Sequence, residues 1–199
     1  MSQTDQNTGL TSKRIESLAD GIFAIAMTLL VLDLQLDGPV GNIILSQFLA
    51  NQWQRFLNYL LSFFLLAIFW ILHHQQFHVI KRTDRRHLWI NVLMLMFVAL
   101  IPFSASVVGD FFGQTLAHWV FDLNLFVVGL LFYFNWAYAT NQYRLVEKDL
   151  SIDLIARGKK RALVLPIVTC LAFVLSFYIP PWSGLAYLLI PVIFAKLKA

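Results

Sequence analysis

The sequence predicts an all-α integral membrane protein with six transmembrane helices and both chain ends on the cytoplasmic side. Hydrophobic residues make up 59% of the 199 residues and charged residues only 13%, whereas a soluble domain is about one half apolar and about one quarter charged. A helix that crosses a membrane needs about 20 apolar residues, so six helices use about 120 positions. The remainder suffices for short loops, which predicts a single membrane domain without an additional soluble domain.

Apolar segments separated by short polar or proline-containing stretches give the six predicted spans. They run over about 18–36, 56–77, 88–108, 118–140, 162–179 and 183–197. Pro102 lies inside the third span and is expected to kink it, while Pro180 and Pro181 separate the fifth span from the short sixth. Residues 1–12 are polar and are expected to be disordered, which leaves residues 13–199 as the membrane domain.

The lysines and arginines determine the predicted orientation, because the cytoplasmic loops of membrane proteins are enriched in both. With six spans, every lysine and arginine except Arg55 falls on one side of the membrane, whereas five or seven spans would scatter them. They are Lys13, Arg14, Lys81, Arg82, Arg85, Arg86, Arg144, Lys148, Arg157, Lys159, Lys160, Arg161, Lys196 and Lys198. The net charge of +4 therefore reflects membrane orientation rather than nucleic-acid binding.

Hydrogen-bonding side chains from the first three spans are predicted to share one depth near the cytoplasmic side. These residues are Arg14, Ser17, Asp20, His73, His74 and Asn91. Polar groups inside a membrane usually pair with one another or face an aqueous cavity. The cluster is therefore interpreted either as a gating or proton-sensing site or as interhelical hydrogen bonding, and the second interpretation is favoured for each residue taken alone.

The remaining reactive side chains do not converge on a recognisable catalytic or metal site. His74 and His78 have a spacing that suits a metal on one helix face, but no matching carboxylate or cysteine is evident, so we expect no metal ligands. Asp33, Asp110 and Asp122 are isolated acids expected at helix ends or in loops. Asp33, at the outer end of the first span, is placed to attract cations to a pore mouth.

The first span has an apolar stripe that contains one hydroxyl group. Ile25, Thr28, Leu29 and Leu32 fall within about 60° of the direction of Ile25 if each residue turns the helix by about 100°. Asp20 lies about 140° away on the same basis and is expected to be buried on the opposite side. By itself, this periodicity is typical of an ordinary lipid-facing or core surface.

Residues 14–30 resemble the signature opening of the transmembrane protein 175 family of potassium channels. That signature is an arginine, three further residues and Phe-Ser-Asp, followed by an apolar helix. Arg14 and Asp20 match it, and Leu18 and Ala19 stand where the family has Phe and Ser. Further matches are Trp70-Ile-Leu-His73-His74, Asn91 and Pro102-Phe103. The resemblance covers the first three spans by motif and the last three by topology.

The resemblance implies a potassium-permeable channel formed by a homotetramer in the bilayer of a prokaryotic inner membrane. It further implies that the first span of each subunit lines the pore, that monovalent cations permeate and that no cofactor is needed. By position, Ile25 matches the constricting isoleucine and Thr28 a pore-facing threonine linked with selectivity, and Leu29 and Leu32 match further apolar layers. The family lacks the Thr-Val-Gly-Tyr-Gly filter of ordinary potassium channels, and so does this sequence.

Two other classes of protein remain open at this point. One is a proton-conducting pathway or secondary transporter that uses Asp20 with His73 or His74 as relay groups. The other is a non-conducting membrane scaffold or a membrane enzyme. Transporters often have broken helices at the midplane and repeated halves, which are not evident here, and an enzyme would need reactive groups that the sequence does not bring together.

Overall fold

A computed structural model describes residues 12–34 and 45–197, and every regular element within these ranges is a helix. The helices are α1 (Ser12–Leu29), α2 (Leu45–Asn51), α3 (Trp53–Val79), α4 (Arg85–Ala99), α5 (Ile101–Asp110), α6 (Thr115–Thr140), α7 (Ile152–Ser176), α8 (Pro180–Ser183) and α9 (Leu189–Lys196). The segment predicted to be disordered lies outside the described residues, except for Ser12, which begins α1.

Four segments are long and apolar enough to cross a membrane, judged by length and composition. They are Ser12–Asp33, Trp53–Val79, Arg85–Asp110 and Thr115–Tyr143. In the first of them, a 3-10 turn extends α1. They coincide with the first four predicted spans. The third is interrupted at Leu100, and Pro102 stands in the first turn of α5, where its missing N–H group needs no helical partner. The helix is therefore interrupted close to the position where the kink is predicted.

The fifth predicted span begins earlier in the structure than in the sequence analysis. Helix α7 begins at Ile152 rather than near Ala162, and the Ser151 hydroxyl caps it by accepting from the Leu154 amide at 3.3 Å. The first turns of α7 are polar, so hydropathy alone did not locate the beginning of this helix. The basic run from Arg157 to Arg161 is consequently helical, although the prediction placed it in a loop.

The sixth predicted span is not a continuous α-helix. The chain passes through the short α8, a 3-10 turn over Gly184–Leu188 and then α9. Glycine and proline disfavour a continuous α-helix, and Gly184 and Pro191 fall where the helical geometry changes. This segment still packs on the bundle, because Tyr187 and Ile190 belong to the buried core.

Helix α1 packs mainly against α3 and α4 through one face. Ala19, Phe23, Ala26 and Leu30 lie in the buried core, and each is at most 2% exposed. The other long helices complete this core, and α6 and α7 form the most extensive pair. The buried face of α1 thus fixes which side of the helix points away from the subunit.

The two long basic segments meet at one end of the bundle. The backbone amides of Lys81 and Arg82 donate to the Leu145 carbonyl at 3.0 and 3.2 Å, and the Arg82 guanidinium donates to the Val146 carbonyl at 3.1 Å. These contacts place the α3–α4 loop beside the α6–α7 loop, as the predicted topology requires.

Acidic side chains surround Arg55 at the opposite end. The Arg55 guanidinium donates to the Asp110 carboxylate at 2.9 Å. Asp33 lies beside them, and a Cβ atom added to Gly109 would be 2.8 Å from the Asp33 Oδ2 atom and 3.5 Å from the Arg55 Cγ atom. Glycine at position 109 therefore permits the close approach of α1, α3 and α5 at this end.

Candidate pore-lining surface and buried polar network

The predicted stripe of α1 lies on the outer surface of the helix bundle. Ile25 is 61% exposed, Leu29 44% and Leu32 54%, and Thr28 is exposed beside them. Large apolar side chains at the surface of a membrane protein are expected to contact lipid, another subunit or a weakly hydrated pathway. These residues therefore do not belong to the core of the chain.

The Thr28 hydroxyl has a defined orientation within the stripe. It donates to the Ile25 carbonyl oxygen at 2.8 Å, which uses its only proton. A hydroxyl oxygen keeps acceptor lone pairs when its proton is donated. Thr28 therefore presents an oxygen acceptor on an otherwise apolar surface.

The prediction that Asp20 is buried is wrong. The residue is exposed, and its Oδ1 atom accepts a hydrogen bond from the Trp70 indole N–H at 2.8 Å. The Trp70 ring also stacks on His74, with the two ring centroids 6.1 Å apart. The indole supplies the hydrogen-bond donor in place of a histidine, so Asp20 can remain at the surface. The contact joins α1 to α3.

The other predicted residues at the start of α1 are also exposed. Arg14 and Ser17 both lie at the surface, and the Ser17 hydroxyl donates to the Lys13 carbonyl at 3.0 Å. The Ser17 hydroxyl thus bonds within its own helix.

His73 and His74 are adjacent in sequence but have different surroundings. His74 is exposed, whereas His73 is 2% exposed and packs among the rings of Phe23, Phe77 and Phe132. The His73 Nε2 atom has no hydrogen-bond partner among the described residues. Consecutive residues on a helix point about 100° apart, so the two histidines do not act at one position.

Asn91 belongs to a buried chain of side-chain amides that links three helices. Its Nδ2 group donates to Asn135 Oδ1 at 2.8 Å and to the His87 carbonyl at 2.8 Å. The Asn135 Nδ2 group donates to Gln76 Oε1 at 2.8 Å, and the Gln76 Nε2 group donates to the Phe132 carbonyl at 3.1 Å. Asn91 and Asp20, both in the predicted cluster, therefore have their hydrogen bonds in two different places, and His73 lies within electrostatic range of both.

Gln76, Asn135 and Trp70 were not among the predicted site residues. Gln76 follows His73 by three positions, so the two share a helix face, and this spacing was an available signal. Asn135 is a polar side chain in the apolar run of α6, which was a second signal. Nothing in the sequence alone indicated that the Trp70 indole would be the partner of Asp20.

Two of the three isolated acids lie where they are predicted, and the third does not. Asp33 and Asp110 lie at helix ends, as predicted. Asp122 is buried inside α6 and accepts a hydrogen bond from the Tyr187 hydroxyl, so its placement at a helix end or in a loop is wrong. The described residues contain no group of three or more His, Cys, Asp or Glu residues that could hold a metal ion.

Asp84 stabilises the end of the bundle where the basic loops meet. Its carboxylate accepts from the His87 amide at 2.9 Å, which caps α4, and from the Tyr138 hydroxyl at 2.7 Å. Arg144 donates to the same hydroxyl at 3.0 Å. Partial burial opposes ionisation, but the hydrogen bonds outweigh it and hold the pKa of Asp84 below its ordinary value.

This lowered pKa predicts a loss of stability in acid. The ionised Asp84 stabilises the folded state above the pKa that it has when unfolded, about 3.9, and the contribution disappears as pH falls through the lower folded pKa. We expect Asp84→Ala to lower the free energy of unfolding by about 1 kcal/mol at neutral pH. Thermal unfolding in detergent between pH 7 and pH 3 measures this. Asp149→Ala, at an exposed loop position, is the control, and an unchanged acid dependence in Asp84→Ala would refute the assignment.

The fold and this surface define a multi-pass integral membrane protein that exposes an apolar stripe containing one hydroxyl group. Residues 14–102 match the family described as the endosomal/lysosomal potassium channel TMEM175. The chain is 32% identical to a potassium channel of Streptomyces collinus over 174 residues, which cover 82% of this chain and 83% of the relative. The chain therefore belongs to the TMEM175 family, a family of ion channels.

A solved structure and a longer relative extend this comparison. The crystal structure of a lysosomal potassium-selective channel TMEM175 homolog from Chamaesiphon minutus is similar, with a TM-score of 0.81 and 27% sequence identity over 94% of this chain and 98% of that chain. A human relative, named as an endosomal/lysosomal proton channel, is 30% identical over 118 residues, which cover 55% of this chain and 23% of the human protein.

Proposed function

We propose that this chain forms a potassium-permeable cation channel as a homotetramer in a prokaryotic inner membrane. Each subunit crosses the bilayer six times with both ends in the cytoplasm, and α1 of each subunit lines a central pore. Apolar rings and a threonine ring on α1 gate this pore and make it selective, in place of a carbonyl filter. The exposed stripe of α1 is the observation that supports this proposal most directly.

The stripe suits a pore because it faces outward while another face of α1 packs in the core. Ala19, Phe23 and Ala26 pack in the subunit core, while Ile25, Leu29 and Leu32 point outward. Copies of such a helix around an axis would form narrow apolar rings. A narrow apolar ring closes a pore by expelling water, without any blocking segment.

Thr28 provides a way to favour potassium within this apolar pore. Its hydroxyl donates to the Ile25 carbonyl, so the oxygen lone pairs remain available to a cation. A ring of such oxygens replaces part of the water that an ion loses on entering. Potassium loses water at a lower free-energy cost than sodium and is therefore favoured.

Asp33 has a smaller role at the outer mouth. Its carboxylate attracts cations, but Arg55 lies close by and also forms an ion pair with Asp110. The nearby positive charge offsets part of the attraction, and salt screens the remainder. Asp33 thus affects the rate of cation entry at low salt rather than selectivity.

The polar residues below the stripe position α1 rather than contact the ion. The Asp20–Trp70 hydrogen bond holds α1 against α3, and the His74 ring stacks on Trp70. Arg14 and Ser17 are exposed in the first turns of α1. The separate amide chain through Asn91 holds α4 against α6. Hydrogen bonds between helices stabilise membrane proteins by about 0.6 kcal/mol each.

Thr28→Val tests the proposal because it keeps the shape of the side chain and removes its oxygen. We expect purified, tetrameric Thr28→Val in liposomes to show a lower ratio of potassium flux to sodium flux than the parent. Ser106→Ala is the matched control, since the Ser106 hydroxyl also donates to a carbonyl three residues earlier but lies outside the stripe. A Thr28→Val channel with the parental ratio would show that Thr28 does not contribute to selectivity.

Proton conduction is a second candidate, favoured by the name of the human relative. A relay through Asp20 and His74 would use groups that both contact Trp70, whereas His73 is enclosed by aromatic rings. The same liposomes, loaded with a pH-sensitive dye, measure proton flux. Proton flux that is abolished in Asp20→Asn, without potassium flux in the parent, would favour this candidate over the potassium channel.

A further inference from the structure

We propose that a cavity between α3, α6 and α7 binds the phosphate headgroup of an anionic glycerophospholipid. The cavity has a volume of about 300 Å³ and is separate from the α1 stripe. Its apolar wall includes Leu72, Val79, Phe132 and Leu154, and its polar wall includes Arg157 and Arg161. None of the described residues that line it is acidic, so the cavity favours an anion.

Arg161 is held in a position that suits a bound phosphate. Its Nη1 group donates to Gln75 Oε1 at 3.3 Å, and its guanidinium carbon lies 5.6 Å from the centroid of the Phe194 ring. Its Nε group is shielded from solvent and has no hydrogen-bond partner among the described residues. Because this N–H group is shielded, a phosphate in the cavity would interact with the positive charge of the guanidinium group rather than with Nε.

The cavity lies at the level where lipid headgroups are expected. Gln75 is near the last turn of α3 and Trp136 near the last turn of α6, at the end of the bundle where the basic loops meet. The Trp136 indole donates to the Ile155 carbonyl at 3.1 Å and lies against Gly158, where an added Cβ atom would be 2.3 Å from the ring. Tryptophan is enriched at this depth in membrane proteins.

The helical structure of the basic run explains how its charges reach the cavity. Because α7 already begins at Ile152, Arg157 and Arg161 are separated by one helical turn and both line the cavity. Lys159 and Lys160 lie between them, are exposed and do not line it. Membrane orientation requires only that these residues be basic, whereas two arginines at a cavity indicate recognition of a phosphate.

A lipid fits the cavity better than a free phosphate ion does. The apolar wall offers no polar partners to a small anion, but it is suited to the first part of an acyl chain. Basic pockets between transmembrane helices at the cytoplasmic side are known binding sites for anionic headgroups. The lipid would therefore place its phosphate at Arg157 and Arg161 and its chain along Leu72 and Phe132.

Native mass spectrometry of the purified full chain tests this proposal. The parent is incubated with equal amounts of phosphatidylglycerol and phosphatidylcholine, and the lipid molecules retained on each subunit are counted. We expect a preference for phosphatidylglycerol that falls roughly tenfold in the Arg157→Gln, Arg161→Gln double variant. Lys159→Gln, Lys160→Gln is the matched control, since it removes the same charge from the same helix and should keep the preference.

Several outcomes would overturn the proposal. One is a double variant that retains phosphatidylglycerol like the parent, and another is an equal loss in the lysine control, which would indicate only general attraction to a basic helix. Displacement of the lipid by millimolar inorganic phosphate would assign the cavity to free phosphate. If the double variant does not fold, the Arg157→Gln single variant tests the proposal, because Arg157 is exposed. This variant should still weaken the preference for phosphatidylglycerol, and a parental preference would contradict the proposal.

Discussion

Ile25→Asn is expected to raise potassium flux through the channel by roughly tenfold, which corresponds to a barrier lower by about 1.4 kcal/mol. Ile25 is the most exposed large side chain of the α1 stripe, at 61%, and is proposed to form the narrowest apolar ring. Asparagine holds water at this ring, and expulsion of water depends on polarity as well as radius. Ile25→Ala should also raise flux, by widening the ring, but by less.

Potassium flux into liposomes at matched protein loading measures this effect. Ile25→Leu keeps the number of carbon atoms and should conduct like the parent. Ile71→Asn makes the same change at an exposed position of α3 and should leave conduction unchanged. If folded, tetrameric Ile25→Asn conducts like the parent, Ile25 does not form the barrier and the proposed gate is wrong.

Asn135→Leu is expected to lower the free energy of unfolding by about 2 kcal/mol. Asn135 is fully buried and is the middle member of the amide chain. Its replacement removes one partner each from Asn91 and Gln76, while each of these amides keeps its bond to a backbone carbonyl. Each buried donor or acceptor left unpaired costs about 1–3 kcal/mol in soluble proteins, and somewhat less inside membranes.

Denaturant or thermal unfolding in detergent gives the measurement. The triple variant Gln76→Leu, Asn91→Leu, Asn135→Leu replaces all three side-chain amides with apolar side chains. It should recover part of the lost stability, because it leaves fewer unpaired side-chain donors and acceptors. A triple variant much less stable than Asn135→Leu alone would contradict this account. A single variant as stable as the parent would show that the amide chain does not stabilise the bundle.

Periodicity predicted that Ile25, Thr28, Leu29 and Leu32 share one side of α1, because the direction of a side chain on a helix follows from its position. It did not distinguish a lipid-facing surface from the core, and the structure shows that all four residues are exposed. The partner of Asp20 could not be predicted in the same way. A sequence indicates the depth of a side chain in the membrane, but not how the neighbouring helix is rotated about its own axis. The rotation of α3 places Trp70 rather than His73 against Asp20.

The later helices were predicted less well for a related reason. Hydropathy locates apolar runs, whereas the first turns of α7 are basic. The beginning of α7 at its Ser151 cap was therefore not predicted. The broken segment after Pro180 depends on local backbone preferences at Gly184 and Pro191 that an average hydropathy does not register. Asn135 and Gln76 pair only because α3 and α6 pack together, which is a property of the tertiary structure.

If α1 lines a pore as proposed, its two faces restrict the motions by which that pore can open. Rotation of α1 about its own axis would carry Phe23 out of the core, where it is 1% exposed, and would break the hydrogen bond between Asp20 and Trp70. Ala19 and Ala26 are small and stand on either side of Phe23 along the buried face, so we expect sideways tilting of α1 to disturb fewer contacts than rotation does. Opening should therefore proceed by tilting of α1 and by rotamer changes at Ile25, without rotation of the helix about its own axis.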